Sequence, residues 1–124
     1  MVKHPERLAN VDPRLVTLVN HVGTKRDLLV LEGARSVEDE QKAIDSGHSS
    51  LKDPMRSKHV IHPTKRPLAL AVDLAPWPLV WTDLAAFDGL AADVKIAAKE
   101  LGIPVRWGGD WKAFRDRPHY ELPA

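Results

Sequence analysis

The residues that carry chemistry in this chain are spread along it, and any fold it adopts has to gather them. Trp107-Gly108-Gly109-Asp110-Trp111 is followed by Asp116-Arg117-Pro118-His119-Tyr120-Glu121-Leu122, while Ser57-Lys58-His59 and Ala71-Val72-Asp73 lie upstream. Two imidazoles and a carboxylate, from His59, Asp73 and His119, make up the kind of set that holds a zinc ion with its fourth tetrahedral position left for water. Asp116 stands just before the last of these, near enough to sit beside a metal without binding it, as a general base must. The expected fold therefore brings residues 59, 73 and 119 to one place.

Local patterns supply the elements. Asp12-Pro13 reads as an N-cap with proline at the first helical position, and Leu15, Leu18, Val19 and Val22 share one face before Gly23, which predicts a helix over 13–22. Residues 28–32 form an apolar run of strand length. After it, Ser36 caps a helix with Glu38, Asp39 and Glu40 in its first turn and Gly47 beyond its end, so Arg35 falls where strand gives way to helix. Residues 68–74 predict a buried strand that delivers Asp73 and is stopped by Pro76 and Pro78. Between Thr82 and Leu101, apolar residues recur at steps of three and four, with Gly102 and Pro104 closing the helix. Residues 105–107 and 119–122 are two further short strands. Four strands and these helices predict the α+β class, a small antiparallel sheet packed against helices around a single zinc site.

Composition narrows the functions open to such a fold. A chain of 124 residues, 44% hydrophobic, fits one compact domain over 1–124, with no room for a separate second domain. With 18 basic and 17 acidic side chains, the net charge of +1 does not argue for nucleic acid or an anionic membrane. The absence of cysteine excludes thiolate ligands and cysteine nucleophiles, leaving histidine and carboxylate to bind a metal. Residues 1–12 lack the apolar core of a secretion signal, and no run reaches the roughly 18 apolar residues of a membrane span. A cytoplasmic location with no membrane insertion is the expectation.

Taken together, Glu32-Gly33-Ala34-Arg35-Ser36, Ser57-Lys58-His59, Ala71-Val72-Asp73-Leu74, the tryptophan-glycine segment and Asp116-Arg117-Pro118-His119-Tyr120 resemble a known family. It is that of the zinc D,D- and L,D-peptidases, which includes D-alanyl-D-alanine dipeptidases and carboxypeptidases and the L-alanyl-D-glutamate endolysins of bacteriophages. The likeness is greatest to the phage endolysins and covers residues 28 to 122. It implies His59, Asp73 and His119 as zinc ligands and Asp116 as the base that activates water and returns the proton to the leaving amine. It also implies Arg35 as the cation that steadies the oxyanion, and Ser57 as a substrate contact. His59 and Asp73 lie farther apart here than the family usually has them. An insertion around 60–67, with two prolines and two cations, reads as a loop or hairpin tip, and His62 within it is the alternative first ligand. Of the tryptophans at 77, 81, 107 and 111, Trp107 and Trp111 are the groove candidates, because the glycines between them permit a close-approaching turn. His4, His21 and His48 read as surface or capping residues.

The resemblance implies cleavage of a peptidoglycan stem peptide, with the L-alanyl-D-glutamate bond favoured and the protein acting as a monomer. A cytoplasmic chain with a wall substrate needs release by a membrane-permeabilising partner, as in phage lysis of a host. Two other readings stay open from sequence. One is a D-alanyl-D-alanine dipeptidase or carboxypeptidase with the same ligands; the other is a non-catalytic zinc-binding module of the hedgehog type.

Overall fold

The computed structural model describes residues 1–48, 51 and 53–123. In chain order these form β1 (Val2–Lys3), α1 (Pro13–Gly23), β2 (Leu28–Glu32), β3 (Arg35–Ser36), α2 (Val37–Asp45), β4 (Val60–Ile61), β5 (Ala71–Pro76), α3 (Leu84–Leu101), β6 (Arg106–Trp107) and β7 (His119–Glu121). Five strands make one sheet in the order β1-β2-β5-β7-β6. The four expected strands pair antiparallel, and β1 adds a parallel edge against β2. That edge corrects the wholly antiparallel expectation; two residues are too few to show an alternating pattern. β3 and β4 form a separate parallel pair. The class is α+β, as expected.

Helix ends follow the capping chemistry. The Asp12 side chain accepts from the Arg14 amide, Ser36 Oγ from Asp39, and Asp83 from Ala86, each satisfying an N–H that the first turn leaves orphaned. Gly102 ends α3 at φ 69°, a left-handed conformation that favours glycine. Leu15, Leu18, Val19 and Val22 of α1 and Leu90, Ala91, Val94, Ala97 and Ala98 of α3 are buried in one core with Leu28, Val30, Val72, Leu74, Tyr120 and Leu122 of the sheet. β5 begins at Ala71 rather than 68 and runs through Pro76, whose missing N–H falls at the last pair, opposite Leu28.

The period of two along a strand then decides what the remaining residues can do. With Val72, Leu74 and Tyr120 turned into the core, Asp73, His119 and Glu121 fall on the opposite face of the sheet. Asp73 and His119 are register partners on β5 and β7, so they stand side by side. His59 comes from outside this sheet. It precedes β4, and its carbonyl accepts the Arg35 amide at 2.7 Å, so the β3–β4 pair fixes both residues at the edge of the same face.

Candidate metal centre

Three ligand atoms converge at this point. His59 Nε2 lies 3.2 Å from Asp73 Oδ1 and 3.3 Å from His119 Nδ1, and His119 Nδ1 lies 3.2 Å from the same carboxylate oxygen. The outer nitrogens are already committed. His59 Nδ1 donates to the Gly33 carbonyl at 2.8 Å, and His119 Nε2 donates to Glu121 Oε1 at 2.8 Å. A neutral imidazole with one nitrogen donating presents a lone pair on the other. Two imidazole lone pairs and a carboxylate oxygen thus point at one another, an arrangement that is costly unless a cation sits among them. A tetrahedral ion with bonds of about 2.0–2.1 Å holds its ligand atoms about 3.3–3.4 Å apart, close to the observed triangle. The cluster of His59, Asp73 and His119 fits a metal ion.

The electrostatics agree. Burial alone would raise the Asp73 carboxyl, yet hydrogen bonds with His119 and His59 hold it well below the usual carboxylate range. Burial would likewise lower both imidazoles, but hydrogen bonding to Asp73, joined by Glu121 for His119, raises His59 and brings His119 up to about 9. Short of a metal ion, an added proton is what lets these atoms lie so close. Glu121 is drawn down to about 2 by its bond from His119 and, against burial, by Lys58, whose Nζ lies 2.7 Å from Glu121 Oε2. Partners of this sort on the outer ring nitrogens orient the imidazoles that bind metals.

The cluster opens into a cleft of about 570 Å³ that also holds Arg35, Ser57, Trp111 and Asp116. Asp116 is half-buried and makes no ion pair among the described residues: Arg117 pairs with Asp88 at 3.0 Å, and Arg115 donates to the Trp111 carbonyl. Burial first, and then the nearby charge of Asp73, raise its carboxyl above the ordinary value. Gly108 explains how it is held. The Gly108 carbonyl accepts the Asp116 amide at 3.0 Å, and a Cβ at Gly108 would collide with the Asp116 carbonyl, so only glycine permits this approach. The Trp111 ring stands 5.3 Å from that of His119, tilted by 48°.

Two candidate residues are placed differently from the simplest expectation. Arg35 is clamped by Glu32 through Nε and Nη2, each at 2.7 Å, and by the buried Glu40 through Nη1. It still lines the cleft, and a guanidinium has more N–H donors than these three bonds use. Trp107 does not line the cleft. Its ring packs on the core under Lys95, and its Nε1 donates to the Arg117 carbonyl at 2.7 Å, so it braces the segment that carries Asp116.

His62 stands apart from the cluster. It sits in the tip of a small hairpin, bridged to Arg66, where its Nδ1 accepts the amides of Thr64 and Lys65. Arg66 of the same insertion donates to the carbonyls of Ser57, Val60 and Met55, which ties the tip to the segment bearing His59. Sequence reasoning gave no role at the site to Glu32, Glu40, Lys58, Glu121 or His48, all of which line the cleft. Only Glu121 carried a local signal, since alternation from His119 puts it on the same face.

Comparison with known proteins follows this geometry. Over residues 2–121 the chain matches the family described as phage L-alanyl-D-glutamate peptidase. It is 34% identical over 116 residues to the L-alanyl-D-glutamate peptidase of Escherichia phage T5, across 90% of this chain and 80% of that protein. Among solved structures, the L-Ala D-Glu endopeptidase ChiX of Serratia marcescens superposes with a TM-score of 0.79 at 29% identity, covering 99% of this chain and 90% of that one.

Proposed function

Because the chain belongs to the phage L-alanyl-D-glutamate peptidases, we propose that it is a zinc-dependent endolysin that hydrolyses the L-Ala–D-Glu bond of peptidoglycan stem peptides. The observation that carries the site is the convergence of three lone-pair donors whose outer atoms are tied elsewhere. His59, Asp73 and His119 are the ligands in this reading. Zinc, when bound, supplies a Lewis acid that polarises the scissile carbonyl and makes water more acidic.

The chain's own residues do the rest. As water adds to the carbonyl carbon, Asp116 takes one proton; as the C–N bond breaks, Asp116 returns that proton to the departing amine, leaving a free amine and a carboxylic acid, which then gives up water's second proton to solvent. Arg35 donates its spare N–H groups to the oxygen on which negative charge grows. Glu32 and Glu40 hold the guanidinium still, so little reorganisation is needed during reaction. Ser57 and Trp111 contact the stem peptide from the cleft walls, and Trp107 acts through its brace on the Arg117 carbonyl.

Residues 1–124 act as one peptidase unit and as a monomer in this reading. Among the described residues no helix is long and apolar enough to cross a membrane. In this reading a membrane-permeabilising partner gives the enzyme its passage to the wall.

The test is turbidity clearing of bacterial walls before and after chelation, with zinc added back and His119→Ala in parallel. Clearing is expected to be lost on chelation, restored by zinc and absent in the variant. Clearing that survives chelation would sink the metal mechanism. Mass spectrometry of the digested muropeptides then reports the bond, and release of terminal D-alanine would replace the L-Ala–D-Glu assignment with a D-alanyl-D-alanine one.

A further inference from the structure

Asp116 also lines a second hollow, of about 220 Å³, together with Trp81, Leu84, Phe87, Arg115 and Arg117. The mechanism above leaves this hollow unused. Its floor is an apolar surface in the open: Trp81 is 58% exposed and Leu84 49%. Trp81 is not a loose side chain. Its ring stacks on Phe87 with centroids 5.8 Å apart and planes at 19°, and Phe87 is buried against Leu29 and Ala75. One face of the indole is therefore fixed from beneath while the ring stays accessible. Two cations flank it in set positions, Arg117 held by Asp88 and Arg115 by the Trp111 carbonyl. An exposed apolar cluster with a polar rim offers both kinds of contact that a ligand surface uses.

A fixed aromatic face beside N–H donors suits a pyranose. The C–H groups on one side of a sugar ring carry partial positive charge and rest on the negative π face, while its hydroxyl and acetamido oxygens accept hydrogen bonds at the rim. We propose that this hollow is a saccharide subsite that takes the muramic acid of the glycan strand. The inference rests on the peptidase reading of the adjoining cleft, and substrate connectivity supports it. In a peptidoglycan stem the L-alanine amine is joined to the lactyl group of muramic acid, so the sugar lies one residue from the L-Ala–D-Glu bond. A sugar site for this bond has to adjoin the catalytic cleft, and this hollow shares Asp116 with it.

The experiment compares two substrates with the same stem peptide, one carrying N-acetylmuramic acid on the L-alanine amine and one carrying only an acetyl cap. The wild type is expected to show a KM about tenfold lower for the muramyl peptide, the scale of one aromatic contact. Trp81→Ala removes that preference and leaves kcat/KM on the capped peptide unchanged, which also shows that the variant folds. Equal losses on both substrates, or a preference that survives in Trp81→Ala, would overturn the proposal. Titrating the zinc-loaded protein with the N-acetylglucosamine–N-acetylmuramic acid disaccharide, while following the Trp81 indole N–H by NMR, decides the matter without hydrolysis. Saturable shifts at Trp81 support the subsite even if neither peptide is cleaved and the peptidase reading falls; no shift overturns the subsite even if both are cleaved.

Discussion

His119, Tyr120 and Glu121 are consecutive in β7, yet they belong to two different parts of the molecule. Tyr120 is 1% exposed and lies among Val72, Leu74 and Leu122 beneath the helices. His119 and Glu121 face the cleft with Asp73, joined by hydrogen bonds and charge. The same strand serves stability through its even residue and chemistry through the two odd ones. Substitutions on the two faces should therefore move different observables, one set the melting temperature and the other metal affinity and turnover.

The largest effect expected on the cleft side comes from Asp116→Asn, which keeps shape and removes the proposed base. Turnover on a defined stem peptide should fall about 10²–10⁴-fold, with zinc content and melting temperature unchanged. Wild-type turnover in this variant would take Asp116 out of the mechanism. Glu121→Gln comes next: the His119 Nε2 hydrogen bond loses its charged acceptor, and competition against a chelator should show zinc held about 10–100-fold more weakly. Unchanged affinity would mean that strand pairing alone orients the ring. Tyr120→Phe is the smallest change and belongs to the core face. Among the described residues the buried Tyr120 hydroxyl has no hydrogen-bond partner, so its removal should stabilise the fold by about 1 kcal/mol in urea unfolding without altering clearing. A loss of stability there would blur the division between the faces.

How readily each part could be read from sequence follows the range of the interactions behind it. The helices were legible because caps and the three-to-four spacing act within a few residues: Asp12, Ser36 and Gly102 end their helices as local chemistry predicts. β1, β3 and β4 were not, since strands of two residues exist only through distant partners. Arg35 shows the same limit. Its pairing with nearby acids was foreseeable, but the choice of Glu40 over Glu38 or Asp39 depends on which side of α2 packs inward. Trp107 looked like groove lining from its glycine neighbours, and packing instead turned it to brace the Arg117 carbonyl.

The candidate ligand set divides in the same way. Asp73 and His119 sit in short strands whose alternation already assigns them a common face, so their side-by-side placement needed only the pairing of β5 with β7. His59 has no such rule behind it. Its position depends on the Gly33 carbonyl and on the β3–β4 pair, with Arg66 of the insertion tying down the surrounding segment. The sequence by itself determined the helices and four of the seven strands among the described residues, the donor types and the family, because these reside in local spacing and in side-chain chemistry. Only the tertiary structure decided that His59 joins the cluster while His62 caps a turn, that Gly108 clears the way for Asp116, and that Trp81 stays open beside the cleft. Each of these depends on contacts between residues far apart in the chain, which no local pattern encodes.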